Sequence, residues 1–148
     1  MKKLLNKGFT LVEVLLVVVI IAILAGVVIV AINPGRQISQ ANNTQRSSDV
    51  RAVLDAVSQY AIDNRGALPT TITLVPTAMG SAAGLIDVCA DIVPTYTAAM
   101  PYDPTAAGAH FTSCADYATG YNISKNATGR VTVSAPSAEL TATISVTK

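Results

Sequence analysis

One acidic side chain, Glu13, lies near the start of the most apolar part of this sequence. A carboxylate at the centre of a bilayer costs about 2.5–3.5 kcal/mol even on a lenient scale. Gly8 and Phe9 stand just ahead of it. If the chain were cut between them, Phe9 would gain a free α-amine one helical turn before Glu13. The amine and the carboxylate would then lie on the same side of a helix, and Glu13 would suit the positive end of the helix dipole.

The surroundings of this amine and carboxylate differ between a single chain and an assembly. In a single chain both groups lie near the membrane surface, where Glu13 costs less. In an assembly of parallel helices the carboxylate of one copy could pair with the amine of its neighbour and set the axial register. A buried pair adds little net stability, but an unpaired buried charge is costly. The simpler interpretation is that Glu13 is a tolerated polar residue near a helix end.

The element that must position these groups is an apolar helix. Val14 to Ile32 is an unbroken apolar run, counting Gly26, of about the length that spans a hydrocarbon core. Three lysines precede it, at Lys2, Lys3 and Lys7. The positive-inside rule places that end in the cytoplasm and the rest of the chain outside. An ordinary secretory signal has its small cleavage residues after the apolar core. Here Gly8 comes before it, so a cut there leaves the span on the mature protein.

Asn33-Pro34-Gly35 interrupts the helical pattern. Pro34 removes a backbone hydrogen bond and clashes with the preceding turn, and Gly26 adds a second weak point. One alternative is a helix that ends at Ile32 and a new helix that starts at Pro34, since proline suits a first turn. The other is a single, locally unwound helix from Phe9 to Asn64. It would be roughly 84 Å long and would need other molecules to cover it.

A second, amphipathic helix is predicted over residues 34–65. Its apolar side chains share one face: Val50, Val53, Leu54, Val57 and Ala61. Gly66 can take the left-handed conformation that ends such a helix. The stretch from Ile38 to Asp49 is unusually polar, so we expect that it does not fix its own place in a core.

The remaining residues, 66–148, are rich in Thr, Ala, Ser, Gly and Pro. Alternating segments at 117–124, 130–134 and 140–147 are typical of strands. A small antiparallel sheet packed on the Val50–Ala61 face would give an α+β domain. The sequence thus predicts a leader (1–8), an apolar helix (9–33), an amphipathic half of the long helix (34–65) and a sheet-bearing head (66–148).

Two cysteines, Cys89 and Cys114, follow the apolar run. An exported domain with two cysteines is expected to join them. The bridge would stabilise the fold by roughly 3–4 kcal/mol in the chain-entropy model. The alternative is a pair of free thiols packed as small hydrophobic side chains.

The charge and the scattered polar residues support no catalytic or nucleic-acid site. The formal net charge is +1, and without the three leader lysines seven basic residues remain against nine acidic ones, so there is no strong nucleic-acid signal. The single histidine, His110, has no Ser or Cys motif nearby, which makes a membrane-tethered exported enzyme the weaker rival. Four loop aspartates could bind calcium, or could simply be solvated, and we expect no cofactor. They are Asp87, Asp91, Asp103 and Asp116.

Three asparagines begin an Asn-x-Ser/Thr sequence: Asn42, Asn122 and Asn126. This acceptor pattern for N-linked glycosylation arises easily by chance in a Thr-rich chain.

The first 13 residues, MKKLLNKGFTLVE, resemble the class III leader and processing site of type IV pilins and of type II secretion pseudopilins. The shared pattern is a basic leader, a glycine, a phenylalanine, Thr-Leu-Val, and a glutamate as the fifth residue after the cut. The resemblance implies a long N-terminal helix whose second half packs on an antiparallel sheet. It also implies that Gly8 marks the cleavage site, that Phe9 becomes the N-methylated terminus and that Glu13 is the assembly charge.

The resemblance further implies a set of partners and a location. A membrane aspartyl prepilin peptidase would cleave and methylate the chain, and an inner-membrane platform would assemble it into a helical homopolymer. Before assembly the chain would cross the cytoplasmic membrane once, with its N-terminus in the cytoplasm, and afterwards lie in an extracellular filament. The expected function is structural, in a type IV pilus for motility, adhesion or uptake. The alternative is the major pseudopilin of a type II secretion system.

Two features depart from the commonest pilin pattern. In many pilins the helix-breaking proline comes a turn or so earlier than Pro34, and the disulfide bounds a loop near the C-terminus. Here a Cys89–Cys114 bridge would tie the region after the helix to the start of the sheet. Residues 64–69 and 100–104 loosely resemble segments of major pseudopilins and of pilins from small-genome bacteria.

Overall fold

A computed structural model describes residues 8–148, and the basic residues 1–7 of the predicted leader lie outside the described part. The chain divides into two compact units, one up to Gln37 and one from Ile38 to Lys148. The elements in chain order are α1 (Leu11–Ile32), α2 (Pro34–Asp63), β1 (Thr77–Gly80), α3 (Cys89–Ile92), β2 (His110–Ser113), β3 (Asp116–Lys125), β4 (Val131–Ala135) and β5 (Ile144–Thr147). The second compact unit, which contains most of α2 together with residues 66–148, is called the head below.

The break between the first two helices falls at Asn33. Its φ of +48° is left-handed, a conformation that a short polar side chain tolerates better than an apolar one does. The Asn33 carbonyl accepts hydrogen bonds from the backbone N–H groups of Arg36 and Gln37, at 3.1 and 3.4 Å. Pro34 is the first residue of α2, a position where its missing N–H costs nothing. The chain therefore forms two helices rather than one locally unwound helix.

The break predicted at Gly26 is absent, because α1 is continuous from Leu11 to Ile32. A single glycine lowers helix stability by roughly 0.5–1 kcal/mol relative to alanine. That cost is too small to end a helix whose other residues are strong helix formers or apolar.

The head contains a five-stranded antiparallel sheet in the order β1-β3-β4-β5, with β2 also paired to β3. β3 is the organising strand, since it pairs Ile123 with Thr77 of β1 on one side and with Val133 of β4 on the other. β4 in turn pairs Val133 with Val146 of β5. The α+β fold class is confirmed.

The core lies between the sheet and the apolar face of α2. Val50, Val53 and Val57 of α2 are fully buried, as are Tyr121 and Ile123 of β3, in one continuous cluster. Alternate residues along β3 and β4 are buried, as expected for a sheet with one covered face. Ala61, predicted on the same helix face, is only partly buried.

The strand limits differ from the sequence prediction at the C-terminus. The predicted strand 140–147 begins only at Ile144, because Leu140 and Thr141 have φ values of +55° and +58°, which no strand accommodates. β1 and β2 were not predicted, since each has four residues, too few for a clear alternation.

Candidate functional site

The start of α1 is held by a capping box built from Thr10 and Glu13. Thr10 is the N-cap, with φ −83° and ψ 150°, and its Oγ1 accepts a hydrogen bond from the Glu13 backbone N–H at 3.2 Å. In return Glu13 Oε2 accepts from the Thr10 backbone N–H at 2.9 Å and from Thr10 Oγ1 at 2.7 Å. These bonds satisfy N–H groups that a helix start otherwise leaves open.

The capping box changes the expected relation between Phe9 and Glu13. The helix begins at Leu11, so Phe9 and the extended Thr10 precede it, and no helical turn joins Phe9 to Glu13. The helix starts after Thr10 because the side chains of Thr10 and Glu13 accept hydrogen bonds from each other's backbone N–H groups. A helix that started earlier would lose this pair of bonds. The spacing Thr-x-x-Glu was readable in the sequence and is the signal that locates this helix start.

The Glu13 carboxylate is exposed and only half engaged. Both hydrogen bonds from Thr10 go to Oε2. Within residues 8–148, no donor of the chain lies within hydrogen-bonding distance of Oε1. One carboxylate oxygen therefore caps the helix of its own chain, and the other is open to an external donor.

The surface that surrounds Glu13 is apolar over the described stretch Leu11–Ile29. The stretch Leu11–Ile29 has a mean hydropathy of 3.2 and no buried residue. Phe9 and Leu11 are more than 80% exposed, and Leu24 and Ile29 about 60%. The 19-residue stretch Leu11–Ile29 is long and apolar enough to cross a membrane as a helix.

Residues 4–29 match the family described as the prokaryotic N-terminal methylation motif. The chain carries a prepilin-type methylation motif. The matched residues include Gly8, Phe9, Glu13 and most of α1, and they support a class III prepilin leader of the type IV pilin and pseudopilin families. No curated protein and no solved structure matches the chain significantly.

The methylation motif points to a structural, pilin-type protein rather than an enzyme. It implies processing by a prepilin peptidase and assembly of the pilus type. Together with the apolar helix, it supports membrane anchoring before assembly.

The head contains a second polar site that the sequence did not reveal, centred on the buried Arg46 of α2. Its guanidinium forms a bidentate pair with Asp103, with Nε to Oδ2 at 2.7 Å and Nη2 to Oδ1 at 3.1 Å. Nη1 donates to Glu139 Oε2 and to Asn43 Oδ1, both at 2.9 Å. Nη2 also donates to Thr105 Oγ1. We call Arg46, Asp103 and Glu139 the charge cluster.

Residues around Glu139 extend the charge cluster along the polar part of α2. Asn43 brackets the Glu139 backbone, donating from Nδ2 to its carbonyl at 2.8 Å and accepting from its N–H at 2.9 Å. Ser39 and Asn42 donate to the Glu139 carboxylate at 3.3 and 3.0 Å. The expectation that residues 38–49 do not fix their own place is therefore wrong, because they are fixed by hydrogen bonds instead of apolar contacts.

The loop that carries Asp103 is held against β3. The Asp103 backbone N–H donates to the Thr119 carbonyl at 2.8 Å. Gly120 has a φ of +75°, and a Cβ there would stand 3.1 Å from the Cβ of Asp103. Glycine is therefore required both by the backbone conformation and by the approach of the loop. This contact holds the segment 100–104 in the position that brings Asp103 to Arg46.

The electrostatics of the charge cluster favour its ionised form. Burial opposes ionisation of Asp103, but hydrogen bonds from Arg46 and from the backbone N–H groups of Thr105 and Ala106 hold its pKa below the usual range. Hydrogen bonds from Arg46 and Asn42 lower the pKa of Glu139. The Asp103 hydrogen bond in turn raises the pKa of Arg46.

Asp49 occupies a separate buried site one turn further along α2. Tyr121 Oη donates to its Oδ2 at 2.8 Å, and Gln45 Nε2 donates to its Oδ1 at 2.7 Å. Burial raises the pKa of Asp49 despite these bonds, and burial together with the neighbouring carboxylate raises the pKa of Tyr121. Asp49 is therefore a stabilised but partly desolvated carboxylate in the core, not a surface charge.

Cys89 and Cys114 are joined by a disulfide, with Cα atoms 5.3 Å apart. Cys89 begins α3, and Cys114 lies between β2 and β3. The bond therefore ties the region after α2 to the start of the sheet.

Asp87, Asp116 and His110, which were singled out in the sequence, take part in two separate pairs. Asp87 accepts a hydrogen bond from Tyr117 Oη at 2.7 Å, and Asp116 lies 3.1 Å from Nε2 of the exposed His110. Within the described residues, no three His, Cys, Asp or Glu side chains come close enough together to hold a metal ion.

Proposed function

We propose that this chain is the structural subunit of a type IV pilus, processed after Gly8, N-methylated at Phe9 and polymerised through α1. The observation that supports the proposal best is that the stretch Leu11–Ile29 of α1 is apolar apart from Glu13 and has no buried residue. Such a helix is covered by lipid before assembly and by other copies of α1 afterwards.

Apolar contact alone does not explain how the subunit leaves the membrane. Lipid tails are as apolar as leucine side chains, so moving α1 from lipid into a bundle of its own copies yields little hydrophobic free energy. Polar groups with fixed partners must therefore supply the specificity. Glu13 is the only ionisable residue from Leu11 to Ile32, which makes it the group that sets the register.

The geometry of Glu13 suits this function. Oε2 is used by Thr10 of the same chain, whereas none of the described residues 8–148 donates to Oε1. In the proposed filament Oε1 accepts a hydrogen bond from the methylated Phe9 amine of the neighbouring subunit. The capping box would hold the carboxylate at the helix start, so that little side-chain freedom is lost when the amine arrives.

A major pseudopilin of a type II secretion system is the second candidate. The segments 64–69 and 100–104 loosely resemble major pseudopilins as well as pilins from small-genome bacteria, and Asp103 in the second segment is a structural anchor of the head. Both candidates share the processing and assembly steps and differ in where the filament ends.

The test is electron microscopy of purified surface fibres with mass spectrometry of their main protein band. A pilus subunit should be the main component, should begin at Phe9 and should be about one methyl group heavier than the bare chain. An absence of fibres together with a secretion defect on deletion would favour the pseudopilin. A mature N-terminus beyond Ala25 would contradict both candidates and indicate an ordinary signal peptide.

A further inference from the structure

The three Asn-x-Ser/Thr sequences lie in different structural settings. Asn42 is within α2, and its Nδ2 donates to Glu139 Oε2 at 3.0 Å. Asn122 is in the middle of β3, paired with Ala78 of β1 on one side and Ser134 of β4 on the other. Neither backbone can bend around an incoming enzyme without loss of a helix or a sheet, so both are poor acceptors for a modification.

Asn126 is different because it begins the turn between β3 and β4. Residues 126–130 are all exposed. The turn is closed by a hydrogen bond from the Gly129 N–H to the Asn126 carbonyl at 3.0 Å, and Gly129 has a φ of +82°. Among the described residues, no acceptor takes a hydrogen bond from Asn126 Nδ2. The side-chain nitrogen that a sugar would be attached to is therefore both exposed and uncommitted.

The opposite end of the same amide is heavily engaged. Asn126 Oδ1 accepts from the Thr128 N–H at 3.0 Å, from Thr128 Oγ1 at 2.7 Å and from the Arg130 N–H at 2.9 Å. An amide nitrogen is a poor nucleophile because its lone pair is delocalised onto the carbonyl oxygen. Donors aimed at that oxygen stabilise the negative charge it gains when Nδ2 loses a proton. The hydroxyl of the third residue of the sequence is one of these donors, so the turn holds Asn126 in a form suited to reaction.

We propose that Asn126 is an acceptor site for N-linked glycosylation, with Thr128 as its positioning residue. The sugar donor is a glycosyl phosphate used by a transferase on the outer side of the cytoplasmic membrane. The bond from Nδ2 to the anomeric carbon forms as the bond from that carbon to the phosphate oxygen breaks. The phosphate leaves with the electron pair, and one Nδ2 proton passes to a base of the transferase. The site rests on the proposed export of the head, because the donor and the transferase lie outside the cytoplasm.

The test is peptide mapping by mass spectrometry of the full chain purified from its own cells. We expect a sugar on the peptide that contains Asn126 and unmodified peptides for Asn42 and Asn122. Thr128→Ala removes the hydroxyl but keeps the two backbone hydrogen bonds to Oδ1, and should abolish the sugar. Thr128→Ser keeps a hydroxyl at the same position and should retain the sugar, which makes it the matched control.

The two proposals can fail separately in the same map. The N-terminal peptide reports cleavage at Phe9, and therefore the pilin-type processing, whether or not Asn126 is modified. A correctly processed chain with bare Asn126 would overturn the glycosylation site alone. A sugar on Asn42 or Asn122 instead, or a sugar on Asn126 that survives Thr128→Ala, would overturn the structural argument that selects Asn126.

Discussion

α1 and the second half of α2 contain the same apolar residue types, but these side chains are exposed over Leu11–Ile29 of α1 and mostly buried in that half of α2. In α2, Val50, Val53 and Val57 are fully buried against the sheet. In α1, side chains such as Leu16 and Ile23 are about 60% exposed. The polar residues of α2 confine its apolar side chains to one face, which a single sheet can cover. α1 has no polar face, which agrees with the proposal that lipid covers it before assembly and other copies of α1 cover it afterwards.

A second contrast lies within α2 itself. Residues 50–57 are held by apolar contacts, whereas residues 39–49 are held by hydrogen bonds and ion pairs to two distant loops. A charge cluster of this kind carries a large cost in free energy, since each buried charge must be desolvated. It is directional, however, and therefore fixes which residues of the loops meet the helix.

The largest effect on the head should come from breaking the charge cluster. Arg46→Met leaves Asp103 buried without its cation, which should lower the free energy of unfolding by about 3–5 kcal/mol. Arg51→Met, on the exposed side of α2, is the control and should change it by no more than about 0.5 kcal/mol. Urea unfolding followed by tyrosine fluorescence measures both, since all five tyrosines lie in the compact unit Ile38–Lys148. Equal effects of the two substitutions would show that the cluster is not a structural anchor.

The comparison of the two helices is tested by the same substitution in each. Leu54 is 2% exposed and Leu16 is 59% exposed. Leu54→Ala should lower the free energy of unfolding of the head by about 2–4 kcal/mol, because it removes buried methyl groups and leaves a cavity. Leu16→Ala should leave head unfolding unchanged when the full chain is measured in detergent. A comparable loss from Leu16→Ala would mean that α1 has an intramolecular partner.

The smallest effect is a dependence of head stability on pH. The pKa values of Asp103 and Glu139 are lowered by folding, so their contribution is complete above the usual carboxyl range, about 4, and is lost as the pH falls below it. Asp49 acts in the opposite direction, because burial raises its pKa and favours the protonated form of the folded state. Stability measured from neutral to acid pH should therefore fall.

Two variants separate these contributions to the pH dependence. Glu139→Gln should flatten the decline, since one carboxylate with a lowered pKa is removed. Asp49→Asn should steepen it, since the opposing group is removed. A decline that neither substitution changes would assign the pH dependence to other carboxyl groups.

The sequence predicted those parts of the fold that depend on local periodicity. The apolar face of α2 and the strands β3 and β4 follow from spacings of three to four and of two residues. The left-handed Leu140 and Thr141 were not predictable from alternation, since they directly follow Glu139, whose contacts with Arg46 and Asn43 span 93 and 96 residues of sequence.

The charge cluster itself could not be read from the sequence. Arg46 and its two carboxylate partners are 57 and 93 residues apart, and no local pattern selects them among the other charged residues. The capping box was within reach, since Thr10 and Glu13 have the spacing that defines it. Glu13 was correctly placed in the first helical turn, and its function in assembly stays a prediction.

We propose that the charge of Glu13, and not its capping function, directs assembly. Glu13→Gln separates the two, because glutamine also completes a capping box but carries no charge. The variant should still be exported and cut after Gly8. Thr10→Ala is the matched control, since it removes the cap at a cost of about 1 kcal/mol and leaves the carboxylate, so its filaments should persist.

The deciding measurement is the ratio of Glu13→Gln to wild-type subunits in filaments, divided by the same ratio in the membrane, from cells that express both. When the variant enters, it has no Glu13 carboxylate to pair with the Phe9 amine of the neighbouring subunit. That amine is left without a partner in an apolar bundle, which costs about 3–5 kcal/mol. We therefore expect the variant to be depleted in the filament by about two orders of magnitude or more. Equal ratios of variant to wild type in the filaments and in the membrane would contradict this expectation and leave Glu13 as a helix cap.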